Sequence, residues 1–450
     1  MDRAPPSRLR TLLLRLLTAT LVPALLLGLL ELGLWSGGYG QPTSLFMAVG
    51  QTVVTRPAYG VRFFPPTMLR DTVPEALTVP KPAGLTRIFV LGGSAAQGAP
   101  EPAYSFGRIL EHMLNVALPT GRFEVINVAM TAVNSHVMVR VAAEAAHLEP
   151  DLFVIYMGNN EVVGPYGAAD ALPSRSSSLP MIRAAIWLRG TRTGQLLAAL
   201  GRELMPDSTG ASAWRGMVTF VNHQVAKNDP RLARSYDHFR TNINDIIALA
   251  AAAGAPSLLC TVAANLSDNA PFAPADTAAT ETYERGQELW RQGKLDPAWQ
   301  AFSAARDLDQ LRFRVDAPLN QVIRDTAASA AQVRLVDIAE LVQQRARAGS
   351  PGGSHPLLWE HVHFRFDGNF LVAHTLALEV ARALKLTLDP VALPTRPACA
   401  AALAYTPWSE YQAADWTRGL RRRAPFTAQT GNAERLADLD RQLAALQAAL

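Results

Sequence analysis

Five short, nearly continuous apolar runs, interleaved with segments of helical period, constrain this chain more than any other feature. They are RIFVLGG at 87–93, FEVINVAM at 123–130, DLFVIYMGNN at 151–160, SLLCTVAAN at 257–265 and VRLVDI at 333–338. A strand that is apolar on both sides has to be covered on both faces, and the helices between successive strands supply the cover. The pattern predicts an α/β fold, a three-layer α/β/α arrangement on a parallel sheet. Helices are expected at 105–118, 135–148, about 232–253 and 370–384, and LLWEHVHF at 357–364 leads into the last of these. With 450 residues, 49% hydrophobic and 18% charged, the chain has ample core material, which excludes disorder as its main state.

Two stretches break the rhythm and read as helical insertions, at about 162–232 and 275–330. The first holds the loop ALPSRSSSLP and an apolar helical piece at MIRAAIWL. The second holds YERGQELWRQG (283–293) and DPAWQAFSAARDLD (296–309), with Ala298, Phe302 and Ala305 on one face, and resembles a single tetratricopeptide repeat. Stacked arrays need about three copies, so one copy is expected as an inserted hairpin.

At the N-terminus, LLTATLVPALLLGLL (16–30) is uncharged and reaches membrane-crossing length with its flanks, so residues 12–36 are expected to contact a membrane. Arg3, Arg8, Arg10 and Arg15 crowd its N-terminal side. By the positive-inside rule the tip stays cytoplasmic and the chain beyond about residue 37 lies across the membrane. A cleaved signal peptide is the competing reading, but no small-x-small site follows Leu30. The expected partition is therefore 1–37 for tip and single-pass anchor, 38–86 for a Pro/Gly-rich lead-in, 87–390 for the body, and 391–450 for a linker and a C-terminal helix. The apolar face of that last helix suits docking or a protein partner. The formal charge is +4, and the arginine-rich tip carries most of it, so nothing calls for nucleic acid. Cys260 and Cys399 belong to no metal-ligand spacing and are expected as buried thiols, with a Cys260–Cys399 disulfide as the alternative.

Candidate chemistry sits at strand ends. In GGSAAQG, Ser94 follows a strand that closes on glycines, which let the backbone turn sharply and expose the hydroxyl at the carboxyl edge of the sheet. A Walker loop would need GKS or GKT, and the GxSxG elbow would need glycine at Ala96, so neither applies. INVAMTAVNS (126–135) and YMGNNE (156–161) offer oxyanion donors: the amide of Asn160 and the backbone N–H groups of Ala132 and Ser94. In WEHVHF, Glu360 precedes His363 by three residues, a spacing that lets one tight turn supply a base and the carboxylate that orients it. His361 competes as base, but next to Glu360 in an extended turn it is expected to point the other way. No further ligand cluster completes a metal site around the two histidines.

Taken in order, Ser94, Ala132, Asn160 and Glu360-His-Val-His363 resemble the four blocks of the SGNH (GDSL-like) hydrolase superfamily. Gly93, Ala132 and Glu360 stand where that family has Asp, Gly and Asp. The resemblance covers 87–160 and 333–384 and implies a flavodoxin-like SGNH fold and a cofactor-free serine hydrolase acting on acyl esters, acetyl groups on a glycan being one candidate. It implies Ser94 as nucleophile, His363 as base, Glu360 as its orienting acid, and Ser94, Ala132 and Asn160 as the oxyanion hole. An O-acetyltransferase using the same residues, or a binding protein on an inactive body, are the alternatives. TVAANLSDNAPF, the helical insert and FRVDAPLNQVIRDTA (313–327) resemble a membrane-anchored bacterial subgroup, which implies an inner-membrane protein with a periplasmic catalytic domain. Asn265 and Arg314 are the candidate substrate contacts.

Overall fold

A computed structural model describes residues 8–64, 70, 72–170, 178–204, 216–273, 277–349 and 355–450. The first seven residues of the arginine-rich tip and residues 171–177 of the Ser/Pro loop lie outside the described residues. The chain opens with helix α1 (Arg8–Ser36), whose stretch Leu14–Ser36 has mean hydropathy 1.9 and none of its length buried against the protein. At 1.5 Å per residue its 23 residues are long enough to cross a bilayer core of roughly 30 Å.

The lead-in contributes more than expected. Strands β1 (Phe46–Val49), β2 (Thr52–Thr55) and β3 (Ala76–Thr78) form a small antiparallel sheet. Leu45, Tyr59, Phe63 and Leu77 around it are buried in the main core. Tertiary burial of scattered large side chains overrides the loop-like local composition here.

The main sheet is built from β4 (Leu85–Gly92), β5 (Arg122–Asn127), β6 (Leu152–Tyr156), β7 (Ser257–Cys260) and β8 (Val333–Val336), in spatial order β5-β4-β6-β7-β8, every pair parallel. Counting only these five, the order is 2-1-3-4-5, the flavodoxin-like arrangement, in which strand order reverses between β4 and β6. The register sets Val90 between Asn127 and Val154, and Gly92 beside Tyr156. Ile88, Phe89, Val90, Leu91 and all of Leu152–Ile155 have no exposed surface, as strands covered on both faces must.

Following the chain, α2 (Ser94–Gln97) is a single turn after β4, and α3 (Phe106–Ala117) leads to β5. Helix α4 (Ser135–Ala145) connects β5 to β6, and α5 (Leu179–Arg189), α6 (Arg192–Leu204) and α7 (Pro230–Ala252) lie between β6 and β7. Helices α8 (Thr277–Arg291), α9 (Leu295–Leu308) and α10 (Ala317–Ser329) precede β8, and α11 (Ile338–Arg347) and α12 (Phe366–Ala383) follow it. Helices α4 and α10 pack against α7 as one outer layer, and α3 packs against α12 as the other.

The second insertion forms the α8–α9 hairpin, closed around Tyr283, Trp290, Trp299 and Phe302. Glycine is required at 286, where a Cβ would stand 2.7 Å from the Phe302 ring. The C-terminal region differs from the expected linker and helix. It holds α13 (Arg396–Ala402), α14 (Pro407–Arg421) and α15 (Asn432–Ala449). Leu439 and Leu443 of α15 pack with Ala413, Ala414 and Trp359, so the apolar face expected to dock or to meet a partner docks within the chain at these residues. Cys260 and Cys399 are both buried free thiols.

Candidate active site

Gly92 ends β4 because nothing larger fits: a Cβ there would lie 2.1 Å from the Tyr156 carbonyl oxygen and 2.5 Å from Ala96 Cβ. The backbone turns at once into α2, with Gly93 in extended conformation as its N-cap and Ser94 as its first residue. Ser94 thus stands at the carboxyl ends of β4 and β6, at the switch point where open α/β sheets bind their ligands. A small cavity opens there, lined by Gly93, Ser94, Val133, Met157, Asn160 and Val262 among others.

The segment after β5 is tied to this turn. Met130 N donates to the Gly92 carbonyl at 3.1 Å, Thr131 Oγ1 to Gln97 Oε1 at 2.5 Å, and Asn127 Nδ2 to the Ala96 carbonyl at 3.0 Å. Between these ties and helix α4, Ala132 adopts φ +60°. That left-handed conformation costs a residue with a Cβ about 1–2 kcal/mol. Glycine, which the SGNH resemblance places at this position, avoids the cost. Strain of this kind persists only where the surroundings over-determine the backbone.

Asn159 and Asn160 part company. Asn159 Oδ1 accepts from Val315 N at 3.0 Å and so serves the fold. The Asn160 amide has no hydrogen-bond partner among the described residues and lies above Gly93, where a Cβ would approach its Nδ2 to 3.0 Å. Next to it, buried Glu161 accepts from Ser135 N at 2.6 Å and from Ser135 Oγ at 2.9 Å. It joins the end of β6 to the first turn of α4, so the segments carrying Asn160 and Ala132 are braced by one carboxylate. Burial pushes the Glu161 carboxyl up to about 7, against the opposing pull of the two Ser135 bonds.

The loop after α11 closes the site. Trp359 N donates to the His363 carbonyl and Arg365 N to the Leu357 carbonyl, both at 2.9 Å, which folds 357–365 into a tight turn. Within it Glu360 is wholly buried, and His363 N donates to its Oε1 at 3.0 Å. The same oxygen pairs with His363 Nδ1, and His363 Nε2 reaches Ser94 Oγ at 2.8 Å. Serine, imidazole and carboxylate are therefore in line, the constellation of a base-activated hydroxyl. Burial alone lowers the His363 pKa to about 4, leaving the ring neutral and able to accept a proton.

His361 takes the opposite side of Glu360 from His363, yet it is engaged by the same carboxylate. Its N–H donates to Glu360 Oε2 at 2.6 Å, and its Nδ1 pairs with the same oxygen. One carboxylate thus clasps two imidazoles, one on each oxygen. The second ring, His361, is enclosed by Phe272 and Phe426 with ring centroids at 5.2 and 5.6 Å, and burial, the largest cause, pulls its pKa well down. Of the two rings, His363 is the one that hydrogen-bonds Ser94.

Asn265 and Arg314 are not brought to the cavity. Asn265 N donates to the His361 carbonyl at 2.9 Å, while its side chain caps a turn by accepting from Asp268 N at 3.0 Å. Arg314, also buried, donates to the carbonyls of Asn265 and Asn269 at 3.0 and 2.7 Å and pairs with Asp309 at 3.2 Å. A spare donor on a strand end and a lone arginine read as substrate contacts in sequence; in space they form the bed beneath the His361 turn.

The C-terminal hairpin of α14 and α15 covers the same turn from outside, which sequence reasoning missed. Trp416 meets the His363 ring edge to face at 5.6 Å while staying 39% exposed. Arg365 stacks on Trp359 at 3.9 Å and pairs with Glu410 at 3.4 Å. Gln429 donates to the Ala270 carbonyl at 2.7 Å, and Arg435 pairs with Asp268 at 2.5 Å. The available signal was aromatic density: PWSEYQAADW puts three large rings in ten residues of a supposed tail.

No family model matches this sequence, and no curated protein matches it. Solved structures similar to the chain include an acetyl xylan esterase at 13% identity, covering 65% of this chain and 99% of that one, with TM-score 0.34. Another is an acetylxylan esterase from Geobacillus stearothermophilus at 10% identity, covering 67% and 95%, with TM-score 0.35. A third is an α/β hydrolase from the metagenome of Lake Arreo, Spain, at 12% identity, covering 67% and 95%, with TM-score 0.33. Overlaps this loose carry no weight for fold or function, which rest on the strand order and the side-chain geometry above.

Proposed function

We propose that the protein is a serine hydrolase of the SGNH type that cleaves ester-linked acyl groups through an acyl-enzyme, held at a membrane by α1. The observation that carries this reading is the unbroken line Ser94 Oγ, His363 Nε2, His363 Nδ1, Glu360 Oε1 at a sheet switch point. In the reaction Ser94 Oγ attacks the ester carbonyl as His363 takes its proton, and Glu360 stabilises the imidazolium that forms. The tetrahedral oxygen is met by the Ser94 and Ala132 N–H groups and the Asn160 amide. His363 returns the proton to the departing alcohol, and water, activated by the same ring, releases the acid.

The test is reaction of the full-length protein with a fluorophosphonate probe, followed by peptide mapping. Labelling at Ser94, absent in His363→Gln, is expected. A folded protein that stays unlabelled, or is labelled elsewhere, overturns the reading.

A further inference from the structure

Helices α5 and α6 of the first insertion form a hairpin whose outer surface is apolar without being covered. On α6, Leu197, Leu200 and Leu204 are all exposed and recur at i, i+3 and i+7, which is one face of a helix. On α5, Ile182 and Ile186 face the core, yet Met181, Trp187 and Leu188 on the outside are also apolar and exposed, Trp187 at 60%. A water-facing surface of this kind is one that soluble proteins avoid.

Its position says what covers it. The start of α6 is fastened to the C-terminal part of α1: Glu31 accepts from the N–H groups of Arg192 and Thr193 at 2.7 Å each and from Thr193 Oγ1 at 2.8 Å. Gln195 exchanges hydrogen bonds with the backbone of Gln41 at 2.8 and 2.9 Å, just past the end of α1. Thr43 Oγ1 donates to the Gly190 carbonyl at 3.0 Å. A carboxylate at the end of an apolar span is satisfied there by the first turn of a neighbouring helix, where the helix dipole also favours negative charge. Arginines cluster at the connection between the two helices: Arg189 and Arg192 flank it, and Arg62 donates to the Ile186 carbonyl at 3.3 Å. Apolar faces beside guanidinium groups, level with the end of a spanning helix, match the acyl boundary and the phosphates of a bilayer surface.

We propose that the α5–α6 hairpin lies in the lipid–water interface beside α1 as a second membrane contact, which fixes the orientation of the body on the bilayer. The inference rests on α1 as a membrane span and is independent of the esterase reading.

The experiment uses the full-length protein in phosphatidylethanolamine/phosphatidylglycerol vesicles, with a nitrobenzoxadiazole label on one introduced cysteine at a time. Positions are Leu188→Cys, Leu200→Cys, Leu25→Cys within α1, and Glu284→Cys on exposed α8 as the aqueous control; the unsubstituted chain, with Cys260 and Cys399 buried, sets the background. Labels at 188 and 200 are expected to emit at shorter wavelength and to be quenched by acyl-chain nitroxide lipids as the label at 25 is, while the label at 284 is not. Quenching at 25 without quenching at 188 and 200 overturns the proposal, whether those labels report water or the shielded surface of a second copy. No quenching at 25 removes the span and the proposal with it.

Discussion

The two halves of the site are held by different means. Ser94, Ala132 and Asn160 stand on the turns that follow β4, β5 and β6, and their positions follow from strand ends, a glycine that nothing larger can replace, and hydrogen bonds between adjacent loops. His363 and Glu360 sit on a turn with no long strand behind it. That turn is supported from below by Asn265 and Arg314 and from outside by a hairpin some fifty to eighty residues further on. The serine half is a property of the sheet, whereas the histidine half is a property of the whole chain. Damage to the first should cost chemistry with little loss of fold, and damage to the second should show up as misplacement of a base.

The sharpest break removes one reacting group from each half. Ser94→Ala and His363→Gln should each lower kcat/KM on a short-chain aryl ester by roughly 10³-fold or more, the scale on which triad members matter. Far-ultraviolet circular dichroism of Ser94→Ala should be unchanged, since a small half-exposed side chain at a turn contributes little packing. Wild-type turnover by either variant would remove the catalytic assignment.

This contrast also explains what was legible beforehand. The parallel sheet and its strands could be read from apolar runs, and the serine half from residues within a few positions of each run. The Glu360-x-x-His363 pair was legible as a local spacing, but the orientation of His361 was not, because it depends on Phe272 and Phe426 closing around the ring. Asn265 and Arg314 were misplaced for the same reason: their partners are carbonyls of a distant turn, which leave no trace in composition. The small β1–β3 sheet and the docking of α14 and α15 depend on scattered aromatics whose partners lie far away in sequence.

The next test lies within the histidine half. Glu360→Gln should cost about 10²-fold or more, because an amide does not stabilise the imidazolium. His361→Gln should cost about 10-fold, since it loosens Glu360 without touching Ser94. Both should be read with the pH profile. With His363 lowered to about 4 by burial, the neutral base is present above that pH, so wild-type kcat/KM should fall as pH drops through about 4 rather than 6.5. A His361 variant more damaged than the His363 variant would mean that the proton acceptor is misassigned. An acid limb at the ordinary imidazole value would mean that the site is wetter than its packing implies.

Trp416→Ala separates the outer support from the chemistry. The ring meets His363 edge to face and carries no reacting group, so its loss should lower kcat/KM by about 10-fold, the effect expected of misorientation without loss of a reacting group. Trp416→Phe, which keeps an aromatic edge, should recover most of the rate. An alanine variant with unchanged kinetics would show that the hairpin covers the turn without positioning it.

The smallest effect, that of Ala132→Gly, belongs to the serine half, where a single methyl group can be moved between two positions. Ala132 holds φ +60°, which costs about 1–2 kcal/mol with a Cβ present, and glycine removes that cost while adding freedom to the unfolded chain worth about 0.4–1 kcal/mol. Ala132→Gly should therefore raise stability by up to about 1.5 kcal/mol and leave kcat/KM nearly unchanged, because the N–H stays where the ties to Gly92 and Gln97 hold it. Gly93→Ala adds the same methyl at an extended backbone that tolerates it, but 3.0 Å from Asn160 Nδ2, so the amide has to shift. That variant should keep its melting temperature and lose roughly 10-fold in kcat with little change in KM, as expected when an oxyanion donor moves by a few tenths of an ångström. Paired denaturation and kinetic measurements on the two variants give opposite signatures if the serine half is set by backbone geometry. A loss of activity in Ala132→Gly, or none in Gly93→Ala, would place the oxyanion donors elsewhere.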